Sequence, residues 1–148
     1  MEMIRLNVKK LDSRARMPVY ASKSAAGMDL YALTAVPVLL HPGETVMIHT
    51  GLAMEIPEGY AGFVYARSGL AVRNGLAPAN KVGVVDSDYR GEIMVAIHNG
   101  SDQDQRIEDG ERIAQMVIAP VQHALIVESK ELSSTERGEG GFGSTGTK

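Results

Sequence analysis

Apolar and polar residues alternate at the start of the chain, where Ile4, Leu6 and Val8 are interleaved with Arg5, Asn7 and Lys9. A period of two is the signature of a strand with one buried and one wet face. Similar short runs recur: VPVLL, then TVMIHTGLAMEI after the turn-like HPGE, GFVYAR after IPEGY, and later EIMVAIHN, RIAQMVIAP and HALIVES. Turn-forming clusters such as PEG, DYRG, NGSD and EDGE separate these runs at the spacing of sandwiches and barrels. The pattern predicts an all-β, mainly antiparallel fold. One stretch departs from it. SGLAVRNG predicts a helix of about two turns, with Ser68 capping its start and Asn74-Gly75 supplying a left-handed stop.

After HALIVES the polar run SKELSSTE has no periodicity and leads into RGEGGFGSTG, Arg137 to Gly146. The expected organisation is a single domain, with residues 1–128 forming the β body and 129–148 a C-terminal arm. A chain of 148 residues is long enough for one core and short for two. Its 16 glycines and 6 prolines favour many turns. The absence of cysteine excludes disulfides, thiolate catalysis and cysteine-ligated zinc. The histidines, His41, His49, His98 and His123, stand too far apart to suggest a metal site. A net charge of −3 argues against a nucleic-acid coat, which needs a basic face. No stretch approaches the ~18 apolar residues of a membrane span, so the expectation is a soluble, cytoplasmic protein.

Several stretches carry candidate chemistry. In RGEGGFGSTG, Gly138, Gly140 and Gly143 spell a dinucleotide fingerprint, but no helix and no later acidic residue can follow, so that match is false. The arm can still offer backbone N–H groups to phosphate, and Arg137 adds a forked charge. ARSGLA places Arg67 and Ser68 at the mouth of the short helix, either as an anion site or as a plain cap beside a surface arginine. In NKVGVVDSDYRGE an apolar strand runs into Asp86, Asp88 and Tyr89. Its carboxylates read as turn chemistry, as a metal pair on extended chain, or as a general base for water. Asp29, in AGMDLYA, is a further candidate whose plain alternative is a turn. Arg112 and Gln115, in ERIAQM, are a pair that a strand would ordinarily leave as a solvated face.

In this order AGMDLYA, ARSGLA, NKVGVVDSDYRGE, RIAQM and RGEGGFGSTG resemble the five motifs of the homotrimeric dUTPases, from about residue 26 to residue 146. The third and fifth motifs are highly specific, and no position expected to do chemistry departs from the pattern. The resemblance implies a jelly-roll-like β fold with one short helix. It also implies Mg²⁺-dependent hydrolysis of dUTP to dUMP and pyrophosphate, which limits uracil in DNA and supplies dUMP for dTMP synthesis. Asp86 matches the general base that activates water for attack on the α-phosphorus. Asp29 matches a residue acting on the metal through water only, with no direct protein ligand expected. Arg67, Ser68 and Gly69 match phosphate contacts, and Gln115 and, less directly, Arg112 match the fourth motif, from which a residue reaches the substrate. Asn80, Val84, Val85 and Met94 match the uracil pocket, and Tyr89 matches the ring packed on the deoxyribose. Phe142 matches a residue that stacks over the base. Arg137, Gly143, Ser144 and Thr145 match lid residues that meet the phosphates and close the site. The family draws each site from three subunits, so a homotrimer with shared sites is expected. The rival readings are a dCTP deaminase, which shares the fold, and a catalytically silent nucleotide-binding trimer.

Overall fold

The computed structural model describes residues 3–146; residues 1–2 and 147–148, the outer ends of the expected body and arm, lie outside the described residues. Strands dominate. β1 (Asn7–Lys10), β5 (Thr45–Glu55), β9 (Glu92–Asn99) and β7 (Leu76–Pro78) form a four-stranded antiparallel sheet in the order β1-β5-β9-β7. β2 (Val19–Tyr20), β3 (Met28–Tyr31), β11 (Arg112–Pro120), β6 (Tyr60–Tyr65) and β8 (Gly83–Val85) form a five-stranded one in the order β2-β3-β11-β6-β8. β4 (Val38–Leu40) pairs with β10 (Gln105–Ile107) in a third, small sheet. The helix α1 (Ser68–Asn74) links β6 to β7.

The core lies where the inward faces of these sheets meet. Ile93, Val95 and Ile97 of β9 alternate inward with exposed or half-buried neighbours and meet Ile48 and Leu52 of β5, Leu30 of β3 and Met116 of β11. That is the period-two pattern of the sequence realised as packing. The last residue of β9 is buried Asn99, whose Nδ2 donates to the carbonyls of Leu40 (3.0 Å) and Gln103 (2.8 Å) while its Oδ1 accepts from Ser101. It ties the two-stranded sheet to the four-stranded one with every side-chain polar atom paired.

Three expectations are corrected. HALIVES forms no strand: residues 121–129 lie outside every sheet, and Leu125, Ile126 and Val127 are exposed. An apolar run is present there, Ala124 to Val127, but a strand needs a neighbour, and the described residues supply none. Ser68 is not the cap of α1. Arg67 occupies that position with extended backbone and no capping side-chain bond, and Ser68 is the first helical residue. The stop is as expected, with Gly75 at φ 66° and its N–H bonded to Ala71. Asp29 stands within β3, buried, not in a turn. The sequence also gave no sign of β2, β7 or β10, each of three residues or fewer.

Candidate active site

β8 and β9 are consecutive strands joined by residues 86–91, yet they belong to different sheets and do not pair with each other. The hairpin is therefore splayed. Its gap is a cavity of about 240 Å³ lined by Asn80, Val84, Val85, Asp86, Tyr89 and Met94, with Met47, Val64 and Glu92 contributing further wall. It is smaller than the ~300–1,000 Å³ of sites for drug-sized ligands. The backbone facing it has hydrogen-bonding capacity to spare. β8 is an edge strand paired only with β6, and β9 has no strand partner on the β7 side before Ile97.

Local chemistry shapes the turn. The Tyr89 N–H bonds to the Asp86 carbonyl at 3.2 Å, so Asp86 and Asp88 sit on a turn and not side by side on an extended chain. Among the described residues no three His, Cys, Asp or Glu side chains gather as metal ligands. The Tyr89 hydroxyl donates to the Glu92 carbonyl at 2.8 Å, folding the ring back over Gly91. A Cβ at Gly91 would stand 2.6 Å from the Tyr89 ring carbon Cζ, so only glycine permits this fold. Asn80 is held similarly over Gly83, where a Cβ would meet its Nδ2 at 3.1 Å and Val64 at 3.3 Å.

A second group forms around Asp29. Its buried carboxylate accepts from Arg67 Nε at 2.8 Å and from Arg112 Nη1 at 3.2 Å. Arg67 thus keeps both terminal nitrogens, and Arg112 keeps Nε and Nη2, for another anion. Gln115, opposite Asp29 across the β3–β11 ladder, donates from Nε2 to the Ala66 carbonyl at 2.9 Å and so fixes the approach to α1. The pair at 112 and 115 is therefore structurally engaged, not a solvated face. Gly27 lets Gln115 pack, since a Cβ there would lie 2.7 Å from Oε1. At Gly69 a Cβ would meet only the tip of the Arg73 side chain, so nothing rigid within the chain requires glycine there. Arg67 and Arg112 line a cavity of about 460 Å³ with Arg16, Tyr31 and Arg106.

No described residue lines both this cationic cavity and the cavity beside Tyr89. The described part of the arm reaches neither. Arg137 Nε donates to the carbonyl of Gly140 at 2.7 Å, the Phe142 ring lies wholly in solvent, and Gly143, Ser144 and Thr145 are exposed. Of the residues that sequence reasoning missed, Gly91 lay within a motif but read only as a turn. Met47 reaches the cavity through the β5–β9 register that sets it opposite Ala96, a pairing no local pattern reveals. Arg16 sits in a segment without periodicity.

Comparison with known proteins gives this geometry its context. The sequence pattern of the dUTPase family matches residues 13–146. A deoxyuridine 5'-triphosphate nucleotidohydrolase of Hydrogenobaculum sp. (strain Y04AAS1) is 51% identical over 145 residues, covering 98% of this chain and 100% of that protein. One from Syntrophotalea carbinolica is 48% identical over 146 residues, 99% of each chain. Among solved structures, the Staphylococcus bacteriophage 80alpha dUTPase with dUPNHPP superposes with a TM-score of 0.88 at 35% identity, over 97% of this chain and 99% of that one. A mutant dUTPase from phage phi11 of S. aureus, described with a structural Mg(II) ion, superposes with a TM-score of 0.80 at 28% identity, over 88% of this chain and all of that one. The antiparallel sheets, the single short helix and these relatives agree on a jelly-roll-like fold and one chemistry: the chain belongs to the dUTPase family, hydrolases acting on deoxyuridine 5'-triphosphate.

Proposed function

We propose that this chain hydrolyses dUTP to dUMP and pyrophosphate by attack of water on the α-phosphorus, in a homotrimer whose sites are shared between copies. The observation that carries the reading is the convergence of Asn80, Val84, Val85, Asp86, Tyr89 and Met94 on one small cavity. The free backbone edges of β8 and β9 offer alternating donors and acceptors to the edge of a uracil. A cytosine would leave those buried groups mispaired, which is a strong basis for rejection. Tyr89, folded over Gly91, forms a wall against the sugar, where a ribose 2′-hydroxyl would need to fit. Asp86, at the end of β8 on the cavity rim, takes the proton of the attacking water.

The phosphates belong to the second group. Arg67 is aimed by Asp29, and its two remaining terminal nitrogens form the fork that binds phosphate oxygens. Ser68 and Gly69 add the first-turn N–H groups of α1, and the bare backbone at Gly69 permits close approach. Gln115 and Arg112 hold this arrangement in register and line its edge. The donor set fits an ion carried by the triphosphate: no cluster of ligands is present among the described residues, and both Asp29 oxygens already accept from guanidiniums. A carboxylate has about four lone-pair sites, so Asp29 retains capacity for water around such an ion. Mg²⁺ bound to the triphosphate supplies charge neutralisation on the leaving pyrophosphate.

One substrate must meet the Asp86 cavity, the arginines and the arm, and no described residue bridges the two cavities. Separate copies supply the parts. The exposed apolar run Leu125, Ile126 and Val127 gives the chain beyond β11 a face to lay against a neighbouring copy. The arm of residues 129–148 then closes as a lid, with Phe142 over the base and Arg137, Gly143, Ser144 and Thr145 at the phosphates, excluding water from the site. Such an enzyme limits uracil in DNA, supplies dUMP for dTMP synthesis, and works in the cytoplasm beside the nucleotide pool.

The test is pyrophosphate release from dUTP with Mg²⁺, run beside dCTP, dTTP and UTP and repeated with Asp86→Asn. Release is expected from dUTP alone. The variant should bind dUTP and lose about 10²–10⁴ in turnover, the usual contribution of a general base. Parent-like turnover in the variant removes Asp86 from its role. Ammonia from dCTP would identify a deaminase, and tight binding without release a silent nucleotide-binding protein.

A further inference from the structure

Glu92 stands at the start of β9 with its side chain mostly buried and both carboxylate oxygens in use. Oε1 accepts from the Gly51 N–H at 2.8 Å, and Oε2 meets His49 Nδ1 at 2.9 Å. Both partners lie on β5, at the point where the β5–β9 register shifts between His49 and Ala53. Gly51 occupies the left-handed region there, φ 69°, and is pressed under Leu33 and Ala15, so its N–H is buried and needs an acceptor. Beside it, the Thr50 hydroxyl donates to the Ile93 carbonyl. The bulge is thus pinned to the first two residues of β9. The main-chain carbonyl of Glu92 meanwhile accepts from the Tyr89 hydroxyl at 2.8 Å. One residue therefore joins the buried bulge, through its side chain, to the ring on the cavity wall, through its backbone.

We infer that Glu92 is a positioning residue for sugar discrimination, clamping the β5 bulge so that its carbonyl holds the Tyr89 ring where a ribonucleotide would collide with it. The inference rests on the reading of Tyr89 as the wall against the sugar. A ring on a glycine-permitted turn would otherwise swing outward, because the other bonds of residues 86–91, from the Tyr89 N–H to the Asp86 carbonyl and from Arg90 to Ser87, Tyr89 and Glu55, hold the main chain and Arg90 and not the ring. Gly91 allows the fold of the ring, the Tyr89 hydroxyl ties it down, and Glu92 fixes the tie point. Glu92 itself has no chemical step to perform: its carboxylate is spent on β5.

The experiment compares kcat and KM for dUTP and UTP in the parent, Tyr89→Ala, Tyr89→Phe, Glu92→Ala, Glu92→Asp, Glu92→Gln and the double variant Glu92→Ala/Tyr89→Phe. Glu92→Ala should lower the dUTP-over-UTP ratio of kcat/KM about ten-fold, part of the ~10² with which a site rejects one added hydroxyl. The change should fall in KM for UTP, with kcat for dUTP altered less. Tyr89→Phe should do the same, and the double variant should lose no more than either single one, because both cut one linkage. Glu92→Gln keeps an acceptor for Gly51 and a donor for His49 and should restore the ratio to within about two-fold. Glu92→Asp, one methylene short of spanning both partners, serves if Glu92→Ala does not fold, and should lower the ratio several-fold. Multiplying losses in the double variant, an unchanged ratio in Glu92→Ala or Glu92→Asp, or a collapse of kcat in Glu92→Gln would each overturn the inference. Tyr89→Ala separates the two levels: an unchanged ratio there sinks the sugar-wall reading itself, whereas a collapsed ratio there with none in the Glu92 variants sinks only the role of Glu92.

Discussion

Asp29 shows how one side chain acquires meaning only from its neighbours. In sequence it is a carboxylate between Met28 and Leu30 with a turn as its plain alternative; folded, it is buried between two arginines from different elements. A buried carboxylate without partners would be costly, and two guanidiniums that still reach water offset that cost while keeping other N–H donors outside the pair. Another residue pair sets a pH dependence. The hydrogen bond from His41 Nδ1 to Asp104, 2.8 Å long, holds the imidazolium and raises the His41 pKa above its ordinary value, with the Asp104 charge adding to the effect. A raised value means that the pair's contribution is complete below the ordinary histidine pKa of ~6.5 and fades as pH rises through the higher folded value. NMR titration should place His41 above the ordinary histidine value, and Asp104→Asn should bring it down; an unmoved His41 would deny the pairing in solution.

At the scale of elements, two glycines separate backbone strain from packing. Gly51 and Gly59 both have strongly positive φ, 69° and 83°, but a Cβ at Gly51 would lie 2.9 Å from the Ala15 Cβ and strike Leu33, whereas at Gly59 it would meet nothing within 4 Å. Gly59→Ala should cost only the strain of a left-handed alanine, about 1 kcal/mol. Gly51→Ala adds overpacking at a buried bulge and should cost about 3 kcal/mol or more. Urea midpoints at unchanged slope check both, and equal costs would mean that the bulge relaxes freely. The elements themselves were legible where alternation was long. β5, β9 and β11 follow from their apolar spacing, and α1 follows from its short, glycine-stopped run. β2, β7 and β10 were not legible, because two or three residues carry no period; they are strands only because a neighbour distant in sequence or hidden to local pattern pairs with them, β3 with β2, β9 with β7 and β4 with β10. HALIVES is the converse, a clear apolar run without a neighbour among the described residues.

The molecule as a whole divides into a hydrogen-bonded body and a chain end that barely touches it. The last described backbone bond tying the C-terminal chain to the body is from Val121 N–H to the Gly59 carbonyl, and later ones are local to the arm. Truncation after Glu136 should therefore leave folding and assembly intact and impair turnover, measured by sedimentation and pyrophosphate release; an unfolded product would make the arm structural. Sharing of sites has its own test. Arg67→Ala and Asp86→Asn subunits, each inactive alone, should regain activity when co-assembled, since some sites then combine an intact arginine group with an intact Asp86. Mixed trimers without recovery would place both groups of one site in the same copy.

What the sequence determined by itself was the class of the fold and the chemical vocabulary of the site, because alternation, turn residues and motifs are local and survive without a tertiary frame. Asn80, Val84, Val85, Asp86, Tyr89 and Met94 were named through the resemblance of one neighbourhood of the chain to a dUTPase motif. The tertiary structure alone decided what joins them. Met47 entered the cavity through strand register, Arg67 and Arg112 became a pair through Asp29, and Glu92 became a clamp through a bulge on β5. The physical reason is the same each time: pairing between strands sets distances among residues far apart in the chain, and a one-residue shift in register would send every one of those side chains to the other face.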